Sequence, residues 1–277
     1  MSPSTGVVFR CLYGLPLLLL AAWLEWRSDG PMGRRTIGLS ALAGLFFAAD
    51  LLTFHYVVDD IGAGLATVMG NLQVVIVALV AWLIWGERPR REVLIALPVM
   101  LIGVVLISGV IGGIPYGANA QLGVAIGLIT AASYAGYLLV IRRASPTSRP
   151  AGPVAVATFA CMLAAGLFGA VVGDLDLVPS MPAHAYLLAY GVTSQSIGYL
   201  LIQVSLPRLP AVLTSAILLA QPVMTVILAI ILLGEAPSPG QITGVLLVVL
   251  GLALATGTIA RVRNDLRGGL ASGGTPA

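Results

Sequence analysis

Two short stretches with the same skeleton decide how this chain is organised: "IWGERPRRE" at 84–92 and "LLGEAPSPG" at 232–240. Both contain Gly-Glu-x-Pro, yet the first carries three arginines and the second carries none. Shifting the chain by 148 residues aligns 52–109 with 200–257 without a gap and gives 12 identities in 58 positions. The matches include Gln73 with Gln221 and Gly103 with Gly251. The sequence therefore contains an internal repeat whose two copies differ in charge.

The composition indicates a membrane protein, because 58% of the residues are hydrophobic and only 9% are charged. A soluble domain carries about 25% charged residues. Apolar stretches of about 20 residues, long enough to span a bilayer, recur along the chain. We therefore predict an all-α polytopic membrane protein in contact with the lipid bilayer. Its nine predicted transmembrane helices lie near 7–26, 36–57, 63–85, 92–111, 122–141, 154–173, 184–205, 211–233 and 239–260.

The loops between these helices show a strong charge bias. All 14 basic residues are arginine, which suggests a GC-rich bacterial genome. One set of alternate loops holds every arginine except Arg10, whereas the other set holds Asp59, Asp60, Asp174, Asp176 and Glu235. Cytoplasmic loops are enriched in arginine and lysine. The bias predicts a bacterial cytoplasmic (inner) membrane protein with a cytoplasmic C-terminus and Met1 outside.

The repeat is predicted to be inverted, because 148 residues contain an odd number of spans. Two oppositely oriented halves are typical of secondary transporters. We expect a first repeat at 1–111, a second at 122–260 and a disordered cytoplasmic tail at 261–277. The first half has four spans and the second five, since helix 122–141 maps before residue 1. Either the protein has nine spans, or a first helix is absent because the start codon was placed too late. The loop-like start "MSPSTGVVFRCLYG" favours the second interpretation.

Several motifs resemble the EamA-type members of the drug/metabolite transporter superfamily. The stretch "SPSTGVVFRCLYGLPLLLL" is similar to the second helix of that family, and "WGERP" and "LLGEAPS" are similar to the ends of its fourth and ninth helices. Glycine-rich helices follow each turn, with "IGVVLISG" and "LGLALATG". The resemblance covers residues 1 to about 260. It implies a fold of two inverted five-helix repeats, here without the first helix, and export or exchange of amino acids or other small metabolites.

Asp50 is the only carboxylate placed within a predicted span. An ionised carboxylate at the bilayer centre costs about 2.5–3.5 kcal/mol on insertion scales, and such residues are functional candidates by default. Three states are open to Asp50: protonated, paired with Arg10, or paired with His55. We interpret Asp50 and His55 as candidates for proton coupling, with a structural ion pair or an interfacial histidine as the alternatives.

Other polar residues at membrane depth are candidates for a substrate path. Arg10 suits a substrate carboxylate or Asp50 through charge-assisted hydrogen bonds, although snorkelling to the headgroups is equally open. Gln73 and Gln221 are repeat mates, as are His55 and Gln203. Their amides suit a zwitterionic or amide-bearing solute, or they lock helices together.

Two polar stripes follow helical spacing and indicate walls of a cavity. Thr130, Ser133, Tyr134 and Tyr137 form the first, and Gln195, Ser196, Tyr199 and Gln203 form the second. Thr67 and Asn71 form a weaker third. The predicted substrate path consists of Arg10, Asn71, Gln73, Tyr134, Tyr137, Gln195, Tyr199, Gln203 and Gln221.

The remaining candidates are structural. Cys11 and Cys161 are expected to be buried and inert, while Glu87 and Glu235 are expected to serve as turn and interface residues. Pro16, Pro98 and Pro222 are candidates for helix kinks.

The function predicted from these features is secondary transport of a small molecule by alternating access. The sequence holds no G-x-x-x-x-G-K-[ST] nucleotide site and no H-E-x-x-H motif, so we expect no catalytic residues, no metal and no cofactor. The low net charge of +3 argues against a nucleic-acid partner. A uniporter, an exchange facilitator or a channel is the alternative, a membrane enzyme is less favoured, and a homodimer is left open.

Overall fold

A computed structural model describes residues 1–86, 88–89, 91–109, 116–144, 149–205 and 211–256. Every regular element in these ranges is a helix, which confirms the predicted fold class. The predicted tail at 261–277 and Glu87 lie outside the described residues. The elements are α1 (Pro3–Asp29), α2 (Arg34–Gly70), α3 (Gln73–Trp85), α4 (Arg91–Ile107), α5 (Ala120–Ala144), α6 (Ala151–Val172), α7 (Met181–Tyr190), a π-helix (Gly191–Gly198), α8 (Tyr199–Ser205), α9 (Ala211–Leu233) and α10 (Pro239–Ala255).

Most of these elements match the predicted spans. Among the described residues, α1, α2, α5 and α6 are long and apolar enough to cross a membrane. The interruption of α2 at Gly62 (φ 84°, ψ 163°) separates the predicted spans 36–57 and 63–85, and α3 ends at Trp85 as predicted. The prediction missed a turn at 71–72, which divides 63–85 into the end of α2 and α3. Glycine adopts this positive φ without the steric cost of a Cβ atom.

The chain divides into two compact units, Met1–Tyr56 with Ala132–Arg208 and Val57–Ala131 with Leu209–Ala277. In the first unit α1 packs on α6, and in the second α4 packs on α10. The 148-residue shift carries the bounds of α4, 91–107, onto the bounds of α10, 239–255. The same shift carries position 3, where α1 begins, onto position 151, where α6 begins. Each unit therefore packs one helix against its repeat counterpart.

Small residues allow these paired helices to approach closely. A Cβ atom added to Gly103 on α4 would lie 2.7 Å from the carbonyl oxygen of Gly244 on α10. The reverse substitution at Gly244 would place a Cβ 2.6 Å from the Gly103 oxygen. Close backbone approach at small residues is a common way to pack membrane helices, because it maximises van der Waals contact.

The predicted inert cysteines are confirmed as free and buried, and they meet in the core of the first unit. The Cys11 and Cys161 sulfur atoms lie 3.8 Å apart between α1 and α6. The three candidate prolines lie inside α1, α4 and α9, each of which continues past its proline. The helical interruptions are instead at Gly62 and at the break before Gln73.

Two glutamates cap helices in their own units. The Glu25 carboxylate, near the end of α1, accepts hydrogen bonds from Ala151 N at 2.8 Å and Gly152 N at 2.9 Å, where α6 begins. Glu235, just after α9, accepts from Ala63 N at 2.5 Å and Gly64 N at 3.1 Å. The Glu235 side chain is buried. The sequence assigned Glu235 to a turn and an interface, and in the structure its carboxylate joins the end of α9 to the helix that resumes after the Gly62 break.

Candidate functional site

Arg10 is the centre of a buried hydrogen-bond network in the first unit. Its side chain is 5% exposed, its Nε donates to Gln195 Oε1 at 2.9 Å, and its Nη1 donates to Tyr190 Oη at 2.9 Å. Gln195 Nε2 in turn donates to Thr158 Oγ1 at 3.0 Å. The network joins α1, α6, α7 and the π-helix. Gln195 is fully buried and Arg10 nearly so, and both predicted path residues therefore lie inside the unit.

Aromatic rings surround the guanidinium. Its Cζ lies 4.4 Å from the Tyr190 ring centroid, within cation–π range, and 6.0 Å from that of Phe47. Phe47 stacks on Tyr137 at 4.8 Å between centroids and meets Tyr199 edge-on at 5.4 Å. Tyr134 stacks on Tyr137 at 5.7 Å. The structure therefore brings together Arg10, Gln195 and the three predicted path tyrosines.

The π-helix changes the second polar stripe. Ser196 was grouped with Gln195 on one cavity face, but its hydroxyl donates to the backbone oxygens of Gly14 at 2.7 Å and Gly191 at 3.1 Å. A π-helix rotates successive side chains by less than an α-helix does, so α-helical spacing misplaces them. Ser196 thus fastens the π-helix to α1, while Gln195 points to Arg10. The Gln203 side chain lies outside the described part of the chain.

The first stripe is also divided. Thr130 belongs to the part of α5 in the second unit, and its hydroxyl donates to Ile126 O at 3.2 Å on its own helix. Tyr134 and Tyr137 belong to the first unit. The Thr130 hydroxyl therefore bonds to the backbone of its own helix, whereas the two tyrosines belong to the ring cluster.

Asp50 is buried on α2, one turn after Phe47, with 8% of its surface exposed. Asp50 and Arg10 interact electrostatically, but the structure does not pair them directly, because Arg10 donates to Gln195 and Tyr190 instead. His55 does not pair with Asp50 either: its Nδ1 lies 2.7 Å from Leu51 O, one turn back on α2. Both residues therefore lie in the unit that holds Arg10, without the ion pairs that the sequence left open.

The other predicted path residues lie in the second unit. Asn71 is buried at the break before α3, and its Nδ2 donates to Thr67 O at 2.9 Å. Gln73 begins α3, and its Oε1 is buried without a hydrogen-bond partner among the described residues. Gln221 is exposed on α9. Of these three residues, Gln73 is the one whose buried side-chain oxygen lacks a hydrogen-bond partner among the described residues, and it lies at the first position of α3.

Sequence reasoning missed Tyr190, Thr158 and Phe47. The repeat held a signal for two of them, because the 148-residue shift maps Arg10 onto Thr158 and Phe47 onto Gln195. Arg10 and Thr158 both bond to Gln195, and Phe47 lies beside Arg10. These four residues form two symmetry-related pairs that meet. No comparable sequence signal marks Tyr190.

The sequence of this chain matches a protein family and several known proteins. The family model described as the EamA-like transporter family matches residues 1–109 and 121–257. The chain belongs to the EamA-like transporter family. It is similar to the uncharacterized transporter YwfM of Bacillus subtilis (strain 168), with 27% identity over 91% of this chain and 83% of that protein. It is also similar to the uncharacterized protein PA1977 of Pseudomonas aeruginosa, with 28% identity over 86% of this chain and 79% of that protein.

A solved crystal structure has the same fold, with a TM-score of 0.61 at 19% sequence identity. The match covers 92% of this chain and 89% of that chain. Together with the long apolar helices, the family membership identifies this EamA-family chain as a multi-pass membrane transporter.

Proposed function

We propose that this EamA-family protein is a secondary transporter that exports a small carboxylate-bearing metabolite, an amino acid or a related compound, by alternating access. It acts in the bacterial cytoplasmic membrane, with a cytoplasmic C-terminus. The observation that carries the proposal is the buried Arg10 guanidinium, whose hydrogen bonds within the described part of the chain go to the neutral side chains of Gln195 and Tyr190.

A buried charge is costly unless it is paired and hydrogen-bonded. Arg10 donates through Nε and Nη1 to an amide and a phenol, and neither acceptor carries a negative charge. Guanidinium groups bind carboxylates through pairs of charge-assisted hydrogen bonds. A substrate carboxylate would neutralise the charge. The rings of Phe47 and Tyr137 supply apolar contact for the rest of a small solute.

The repeat supports alternating access as the mode of transport. Transporters built from inverted repeats bind substrate between symmetry-related parts and open the site to each side in turn. One group of contacting residues contains two such repeat pairs: Arg10 with Thr158, and Phe47 with Gln195. A channel has no need of a charged binding group at this position.

Asp50 is the proposed proton carrier. It is buried in the same unit as Arg10 and interacts electrostatically with the guanidinium without a direct pair. An anionic substrate and an ionised Asp50 both use the positive charge of Arg10. Both groups therefore depend on the same positive charge, which links the protonation of Asp50 to substrate binding.

Ligand-induced thermal stabilisation of the purified protein tests the substrate class. A panel of amino acids, their amides and their decarboxylated amines is compared on the wild type, Arg10→Lys and Arg27→Lys. Lysine lacks the forked guanidinium, so Arg10→Lys removes at least one charge-assisted hydrogen bond to a carboxylate. The substitution should therefore weaken binding of carboxylates by about 10–100-fold. Arg27 is exposed and stacks on Trp23, so Arg27→Lys should bind like the wild type. Equal stabilisation of wild type and Arg10→Lys by carboxylates would contradict the proposed site.

Gradient-driven flux in proteoliposomes tests the coupling. In Asp50→Asn, a proton gradient should no longer accelerate transport, while exchange of unlabelled for labelled solute should continue. A gradient effect of wild-type size in this variant would exclude Asp50 as the carrier. Absence of a gradient effect in the wild type would favour the uniporter or exchange facilitator.

A further inference from the structure

Asp174 is a buried carboxylate that the transport proposal does not use. It follows Gly173, which ends α6 in a left-handed conformation (φ 78°). Both carboxylate oxygens are buried, and neither has a hydrogen-bond partner among the described residues. Ser4, near the start of α1, is fully buried, and its Oγ also has no partner. Buried polar atoms without partners are rare in native proteins and call for a physical explanation such as a bound ion.

The two unpartnered groups face the same place. A Cβ atom built on Gly169 of α6 would lie 2.9 Å from Ser4 Oγ and 3.1 Å from Asp174 Oδ1. The two oxygens therefore lie no more than about 6 Å apart, beside a residue that has no side chain. The surrounding loop is fastened separately, since Asp176 N donates to Thr5 Oγ1 at 2.8 Å.

The opposite end of the same helix pair shows why Asp174 lacks partners. There, Glu25 accepts hydrogen bonds from Ala151 and Gly152 N. The 148-residue shift carries these donors onto Pro3 and Ser4, at the start of α1. Proline has no N–H, and an aspartate is one methylene shorter than a glutamate. The cap formed by Glu25 therefore has no full counterpart at Asp174.

We propose that Asp174 and Ser4 hold a monovalent cation, Na⁺ or K⁺, between the end of α6 and the start of α1. A carboxylate and a hydroxyl are oxygen ligands that suit such a cation, and the last carbonyls of a helix add negative potential at its C-terminus. A single carboxylate charge matches a single positive charge. Calcium takes 6–8 oxygen ligands, often from several carboxylates, and the described residues contain no cluster of three acidic, histidine or cysteine side chains.

Thermal unfolding of the full chain in detergent tests the site with the ions alone. Melting temperatures are compared in 100 mM NaCl, KCl and choline chloride, since the bulky quaternary ammonium of choline cannot be bound directly by a carboxylate and a hydroxyl as a bare metal cation is. Ligands that bind only the folded state stabilise it, and we expect NaCl or KCl to raise the wild-type Tm by about 3 °C over choline. Asp174→Asn should abolish this difference, and Ser4→Ala should reduce it. Asp176→Asn is the matched control and should retain it, because Asp176 is exposed and its Oδ1 already accepts a hydrogen bond from Val178 N.

Two results would overturn the proposal. The first is a wild-type Tm that is equal in all three salts. The second is a Tm of Asp174→Asn that falls by the same amount in every salt, so that the full cation-dependent rise persists. That result would mean that Asp174 serves only the positive end of the α1 dipole. The readout is stability, so the outcome does not depend on transport or on its substrate.

Discussion

Removing the Glu235 carboxylate should destabilise the protein strongly. Its two hydrogen bonds go to Ala63 N and Gly64 N, just after the helical break at Gly62. A hydrogen bond to a charged group contributes about 1.5–3 kcal/mol, so at the lower limit Glu235→Ala should cost about 3 kcal/mol. Since about 1 kcal/mol shifts the Tm of a chain of this size by about 2–4 °C, the expected fall is about 6–12 °C.

The assay is thermal unfolding of purified variants, followed by the loss of monodisperse protein on heating. Glu235→Gln keeps one acceptor oxygen but loses the charge, so its Tm should fall about half as far as that of Glu235→Ala. Asp59→Asn is the control, because Asp59 is an exposed carboxylate near the same break. If Glu235→Ala melts within about 1 °C of wild type, the carboxylate does not hold the restarted helix, and the explanation of the break fails.

Two further substitutions test the packing and the site. Gly103→Ala should lower the Tm by several degrees, because its Cβ would lie 2.7 Å from the backbone oxygen of Gly244 and overpacking costs about 1–3 kcal/mol. Gly38→Ala meets nothing within 4 Å and should leave the Tm unchanged or raise it, and equal effects of the two would contradict the close packing. Thr158→Val leaves the buried Gln195 Nε2 without its acceptor, which should cost about 1–3 kcal/mol of stability and lower the Tm by about 2–12 °C. An unchanged Tm in Thr158→Val would mean that Thr158 does not hold Gln195 in place.

Composition and loop charge were enough to predict an all-helical membrane protein, because burying about 20 apolar residues in lipid leaves few alternatives to a helix. The turns at Gly86 and Gly234 predicted the repeat, since a glycine ends a helix at each. The interval between the predicted spans 36–57 and 63–85 placed an interruption at 58–62, and the structure narrows it to Gly62. Hydrophobicity did not show that the Glu235 carboxylate caps the helix that follows, at Ala63 N and Gly64 N.

The site was predicted in part. Arg10 and Gln195 were candidates because polar groups inside a membrane are costly and usually face the protein interior. Ser196 was misplaced because α-helical spacing does not hold across the π-helix. Tyr190 was missed because its role depends on how α7 approaches α1, and a tyrosine near a helix end has many other uses.

Counterflow in proteoliposomes tests the central claim, a carrier with a saturable site, most directly. Liposomes loaded with an unlabelled amino acid that stabilises the protein are diluted into a trace of the same labelled compound. If the protein is a carrier, we expect transient accumulation of label that saturates with concentration and is strongly reduced in Arg10→Lys. Uptake that rises linearly with concentration and does not depend on the internal amino acid would contradict a carrier and indicate a channel.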